Sequence, residues 1–172
     1  MIKNKNLIVF LLSLMLVFST LMVVSTNAYS ATKKVNSVEK VNTSINNNDL
    51  AKDVFDKINQ LRKRKGLEEY TWNDQIACIA DERAKNIATS FSHVLPNGKG
   101  YESLYENAGI VYSELGENIA YGFTTADAVV NGWQKHTVHR DMLYSRSFTD
   151  CTIGIYISPE GKVYYVAEFM AK

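Results

Sequence analysis

Near the C-terminus the sequence changes its hydrophobic period. Ile153, Ile155 and Ile157 alternate with Gly154 and Tyr156. Ser158-Pro159-Glu160-Gly161-Lys162 is turn chemistry, and Val163 to Met170 resumes as a β-branched and aromatic run. Alternation, turn and second run make a β-hairpin. The periodic stretches upstream read at helical spacing, so the hairpin is expected to find its cover in helices that precede it. Helices first and an antiparallel hairpin last predict an α+β layered domain rather than a repeated βαβ unit.

The helices follow from spacing and caps. Leu50, Val54, Ile58 and Leu61 form one stripe, opened by Asp49 after three asparagines and stopped at Gly66. A second helix is predicted from Asn73 or Asp74, with Ile76, Ile79, Ala80 and Ile87 on one face and Asp81, Glu82 and Lys85 on the other. Arg83 falls on its apolar side and is expected to snorkel or to pair with an acid. A third helix starts at Thr124 or Thr125, with Ala126, Val129, Val130 and Trp133 as its buried stripe. A short helix over 102–107, ended by Gly109, completes the set.

The N-terminus has a different character. Lys3 and Lys5 precede an uncharged apolar run from Leu7 to Val24, and Ser25-Thr26-Asn27-Ala28 supplies small or polar residues at a plausible cleavage point. This is the layout of a secretory signal peptide over residues 1–28. The rival is an uncleaved anchor over residues 7–24, since the run approaches the ~20 residues needed to span a bilayer. Either reading puts the rest of the chain outside the cytoplasm, secreted in the first case. Residues 29–48, rich in Asn, Ser, Thr, Lys and Val, read as a flexible linker, which leaves residues 49–172 as one domain with a single core. The whole chain carries a formal charge of +1, and loss of Lys3 and Lys5 with the leader makes it −1. That balance gives no electrostatic reason to expect nucleic acid as partner, and the membrane enters only through an uncleaved N-terminal segment.

Cys78 and Cys151 are the only cysteines. In an oxidising compartment a bridge between them would tie helix to sheet and stabilise by ~3–5 kcal/mol, less any strain. The alternative is two unpaired thiols, one of them covered by packing. Neither cysteine has the surroundings of a nucleophile.

Histidine is scarce, three in the chain, and two of them fall in W-Q-K-H-T-V-H-R, residues 133–140. His136 and His139 are three residues apart, and His136 is three past Trp133. The remaining one, His93, lies on a turn before Pro96-Asn97-Gly98. Between them, L-G-E-N-I offers Gly116 for close backbone approach and Glu117 as a carboxylate. Imidazoles with a carboxylate can ligate a divalent metal or act as general acid and base around a water. The spacing lacks the H-E-x-x-H of zinc proteases, and hydrogen-bonded structural histidines would look the same. No G-x-S-x-G, P-loop or dinucleotide fingerprint is present. Tyr101, Tyr105, Tyr112 and Tyr121 fall near these residues and either line a groove for a sugar, peptide or lipid or sit at the core's edge.

In order along the chain come F-S-H-V-L-P-N-G (91–98), G-E-N-I-A-Y-G (116–122), G-W-Q-K-H-T-V-H-R (132–140), I-G-I-Y (153–156) and Y-Y-V-A-E-F (164–169). This series resembles the CAP superfamily of cysteine-rich secretory, antigen 5 and pathogenesis-related proteins, in particular its bacterial secreted SCP-like branch. The resemblance implies a three-layer α-β-α sandwich with a small antiparallel sheet. It also implies a cleft in which His93, Glu117 and His139 match the family's histidines and acid. Some members bind zinc or another divalent cation there, and others bind sterols or fatty acids elsewhere on the domain. Enzymatic activity is not general to the family.

The chain departs from the pattern in places. His136 stands where relatives keep Glu or Ser, and His136-Thr137-Val138 replaces a Ser-Pro-Gly turn. Met142 and Ala167 replace a usual asparagine and glutamine. β-branched residues are poor substitutes for a glycine at φ > 0, so the approach to His139 is expected to be helical rather than looped. From the resemblance, His93, Glu117, His139 and the added His136 form a candidate ligand set for Zn²⁺ or another divalent cation. The expected function is an extracellular domain whose cleft takes a metal or small ligand, with a cell-wall or lipid component as possible partner. The alternatives are a hydrolase using His93, Glu117 and His139, and a lipid- or protein-binding module with a vestigial cleft.

Overall fold

A computed structural model of the protein describes residues 47–172. The leader, the anchor alternative and nearly all of the linker lie outside the described residues. Asn47 and Asn48, assigned to the linker from sequence, are already helical, so the helix is under way before Asp49.

Along the chain run α1 (residues 47–64), α2 (Asp74–Thr89), α3 (Glu102–Asn107), β1 (Glu114–Tyr121), α4 (Ala126–Lys135), α5 (Thr137–Tyr144), β2 (Asp150–Ile157) and β3 (Val163–Ala171). The sheet is antiparallel with order β1-β3-β2. The terminal hairpin is thus β2–β3, as the alternation predicts, and β1 docks on its free side. Side chains alternate between the two faces of a strand, and each face receives its own helices. On one face Ile119 of β1 and Val166 of β3 pack against Ala84 and Ile87 of α2. On the other, Cys151, Ile153, Tyr165, Ala167 and Phe169 join Val54 and Ile58 of α1, Val129, Val130 and Trp133 of α4, and Leu143 of α5. The result is the expected α-β-α sandwich.

Local chemistry accounts for the helix ends. Asn73 caps α2 by accepting from the Gln75 N–H at 3.0 Å, and Thr125 caps α4 by accepting from Ala128 at 3.2 Å. The third helix does not continue through His136. α4 stops at Lys135, His136 is extended (φ −104°, ψ 124°), and α5 begins at Thr137. The segment leading to His139 is therefore helical, with one break before it.

Close packing of α2 on the sheet depends on a glycine. A Cβ at Gly154 would lie 2.0 Å from the Ala80 carbonyl oxygen. At Gly116 a Cβ would meet Met142 Sδ at 2.8 Å and the Phe148 ring at 2.9 Å, so the expected close approach falls on the face covered by α5 and the loop after it.

The two cysteines are not bridged. Cys78 is exposed on α2, whereas Cys151 is fully buried with the α1–α4 cluster. The sheet itself separates them, because Cys151 points to the face away from α2. Of the two readings open from sequence, unpaired thiols with one covered by packing is the one realised.

Candidate functional site

Four elements bring the predicted residues together at the β1 edge of the sheet. Glu117 projects from β1 toward α2, and its side chain is 1% exposed. Arg83, which reading the helix face left with an unnamed acid, pairs with it. Arg83 Nε donates to Glu117 Oε2 at 2.7 Å and one terminal nitrogen donates to Oε1 at 3.0 Å. That same nitrogen donates to the Ser92 carbonyl at 2.9 Å, tying the loop before His93 to the helix. A two-pronged guanidinium–carboxylate contact fixes the carboxylate plane as well as its charge.

His93 completes the arrangement. Its Nδ1 lies 2.8 Å from Glu117 Oε1, while the imidazole is 53% exposed. With Glu117 ionised by Arg83, Nδ1 carries the proton and donates, which leaves Nε2 with its lone pair for a ligand. This is the geometry in which a carboxylate behind a histidine fixes tautomer and ring orientation.

His139 approaches on α5. Asn118, the next residue of G-E-N, points to the opposite face from Glu117, and its Nδ2 donates to the His139 carbonyl at 2.9 Å. The G-E-N sequence therefore reaches to both sides of the sheet, Glu117 to His93 and Asn118 to α5. His139 Nδ1 is buried with no hydrogen-bond partner. Burial holds its imidazole below the ordinary histidine value, and the nearby His136 and His93 push the same way. His136 is exposed, with its ring centroid 5.8 Å from that of His139.

Among the described residues, no three His, Cys, Asp or Glu side chains are arranged to hold a metal ion. Glu117 has both oxygens committed to Arg83 and His93, so in this geometry it stands behind a ligand rather than acting as one. The donors left for a cation are imidazole nitrogens, and the unpartnered Nδ1 of His139 is the observation that fits one.

Beneath this layer lie Glu168, which sequence reasoning did not assign to the site, and Tyr105, which the sequence leaves open as a groove-lining or core-edge residue. Glu168 of β3 is the register partner of Glu117 and has no exposure. Tyr105 of α3, also fully buried, donates its hydroxyl to Glu168 Oε2 at 2.9 Å. Tyr105 thus lines no groove. Tyr112 packs edge-on against it, and Tyr121 packs on Phe91 and Tyr164. The available signal was an acid inside the apolar run Y-Y-V-A-E-F.

With the sandwich and these residues placed, comparison with known proteins decides the family. The sequence pattern described as "CAP: Cysteine-rich secretory protein family" matches residues 55–169. The chain belongs to the CAP family. A relative from Bacillus subtilis (strain 168), named "Uncharacterized membrane protein YlbC", is 26% identical over 123 residues, 70% of this chain and 34% of that one. A 1.5 Å crystal structure of an extracellular protein containing an SCP domain, from Bacillus anthracis, superposes with TM-score 0.67 at 26% identity, covering 73% of this chain and 41% of that one. An outer surface protein from Borrelia burgdorferi gives TM-score 0.63 at 22% identity, covering 70% of this chain and 91% of that one, a likeness of fold. This CAP chain spans about a third of the length of the B. subtilis relative. Among its described residues no helix is long and apolar enough to cross a membrane.

Proposed function

We propose that this CAP domain acts outside the cytoplasm and that its cleft binds a divalent cation such as Zn²⁺, or a small ligand, through the imidazoles of His93 and His139, with His136 within reach. The supporting observation is the chain Arg83–Glu117–His93, which uses a buried ion pair to aim one imidazole outward beside a second whose Nδ1 lacks a partner. Catalytic zinc sites take three protein ligands and fill the fourth position with water or substrate, so His93 and His139 would need His136 or a bound ligand as the third donor. Glu117 would raise the basicity of His93 toward such an ion. The N-terminal apolar segment and the extracellular relative from B. anthracis support the location.

Calorimetry tests the reading directly. Zn²⁺ added to the wild-type protein is expected to give a saturable isotherm that His93→Ala and His139→Ala weaken by at least ~10-fold. Identical isotherms for wild type and His93→Ala would sink it and leave the cleft vestigial.

A hydrolytic reading draws on the same His93–Glu117 contact, because an imidazole oriented by a buried carboxylate is also a general base. A screen against peptides and muropeptides, with Glu117→Gln as control, decides it. Turnover that survives this substitution would exclude the pair as its source.

A further inference from the structure

The two carboxylates on the α2 face of the sheet pose a problem of hydrogen-bond accounting. Glu117 and Glu168 are directly opposite across the β1–β3 pair, so both buried side chains rise from the same face of the sheet. Glu117 accepts two bonds from the Arg83 guanidinium. Glu168 accepts from Tyr105 on Oε2, and its Oε1 is buried without any donor. Two buried carboxylates on paired positions of neighbouring strands repel if both are ionised, and in a buried setting that repulsion is little screened.

One proton removes both difficulties. We propose that Glu168 is carried as the neutral acid and is a positioning residue of the cleft, its Oε1–H donating to Glu117 and so holding that carboxylate in line with His93. The lone acceptor then becomes a donor, and Glu117 receives bonds from Arg83, His93 and Glu168. Tyr105 fixes the Glu168 carboxyl from the α3 side. The charged and titratable groups around Glu168 on its own face are Arg83 of α2, Tyr101 just before α3, Tyr105 of α3 and Glu117 of β1, while Cys151 of β2 lies behind it on the other face of the sheet. Of these, Arg83 gives Nε and one terminal nitrogen to Glu117, and its other terminal nitrogen is buried without a bond to either carboxylate. Burial pushes the Glu168 carboxyl well above the ordinary range, Glu117 adds to that, and the Tyr105 hydroxyl and Arg83 oppose it.

The role rests on reading His93–Glu117 as the working part of the cleft, but its test needs no metal. The experiment compares wild type with Glu168→Gln and Glu168→Leu by thermal melts from pH 4 to pH 8 and by the ¹⁵N signature of the His93 ring. An acid that is neutral when folded contributes stability that is complete below its unfolded value, about 4.3, and is lost as pH rises toward the folded one. Gln imitates the neutral acid, donating to Glu117 and accepting from Tyr105, without that loss. Glu168→Gln is therefore expected to melt above wild type at pH 7–8, with the gap closing toward pH 4, and to keep the Nδ1–H form of His93. Glu168→Leu should lose that signature.

A Glu168→Gln protein that melts below wild type at pH 7, with the difference shrinking in acid, overturns the proposal, because it marks an ionised Glu168. Retention of the His93 signature in Glu168→Leu overturns the positioning role. If the leucine protein does not fold, the glutamine melts still decide. Failure of Zn²⁺ binding in wild type touches only the metal reading.

Discussion

Arg83 and Glu117 meet as a two-pronged ion pair inside the domain, with side chains 0% and 1% exposed. They are 34 residues apart in sequence, on elements that belong to different layers of the fold. Breaking one member of a buried pair strands the other charge, which typically costs 3–5 kcal/mol. Arg83→Met is therefore expected to destabilise the protein by roughly 3–5 kcal/mol in urea unfolding. It should also release the Ser92 carbonyl and with it the His93 loop. A change below about 1 kcal/mol would show that solvent reaches the pair.

His139 makes a pH prediction. Its folded-state value lies below the ordinary one because of burial first, then His136 and His93. A histidine held neutral in the folded state contributes stability that is present above the unfolded value of about 6.5 and lost as pH falls through the lower folded value. An NMR titration of the His139 ring should therefore give a midpoint below about 6.5. A midpoint above that would mean that an acid pairs with His139 in solution.

Gly154 is the point of closest approach between α2 and the sheet. Gly154→Ala places a methyl group 2.0 Å from backbone oxygen of α2, and backbone cannot rotate away as a side chain can. The expected loss is at least ~1–3 kcal/mol, the usual range for overpacking, read as a lower urea midpoint. An unchanged midpoint would mean that α2 stands off from β2 in solution.

The cysteines give a chemical test of the layering. Without reductant, one thiol per chain should react with a thiol reagent under native conditions, that of the exposed Cys78. Burial pushes the Cys151 thiol up, so it stays protonated and covered. Two thiols should react once the chain is unfolded in denaturant. None in either state would reveal a disulfide and contradict the separation of the two residues by the sheet.

Much of the fold was legible. The stripes of α1, α2 and α4 and the alternation of β2–β3 are local patterns, and each appears where the sequence put it. β1 was not legible as a strand. E-L-G-E-N-I-A-Y contains a single β-branched residue, and it is extended because β3 offers it a ladder, not because its residues prefer one. The break at His136 was equally hidden, since nothing in Q-K-H-T-V forces a helix to stop and restart.

For the candidate site, residue types were readable and connections were not. His93, Glu117 and His139 are marked by motif, and Arg83 by its place on an apolar helix face. Sequence by itself determined which chemistry is available, three imidazoles and a few acids at set intervals, and that an antiparallel hairpin would need helical cover. Only the tertiary structure decided that Arg83 takes Glu117, that Glu117 therefore backs His93, and that Glu168 and Tyr105 lie beneath them. Hydrogen-bond partners far apart in the chain are fixed by strand register and by how closely a helix can approach a sheet. Those distances arise from packing the whole domain, and no local stretch of residues encodes them.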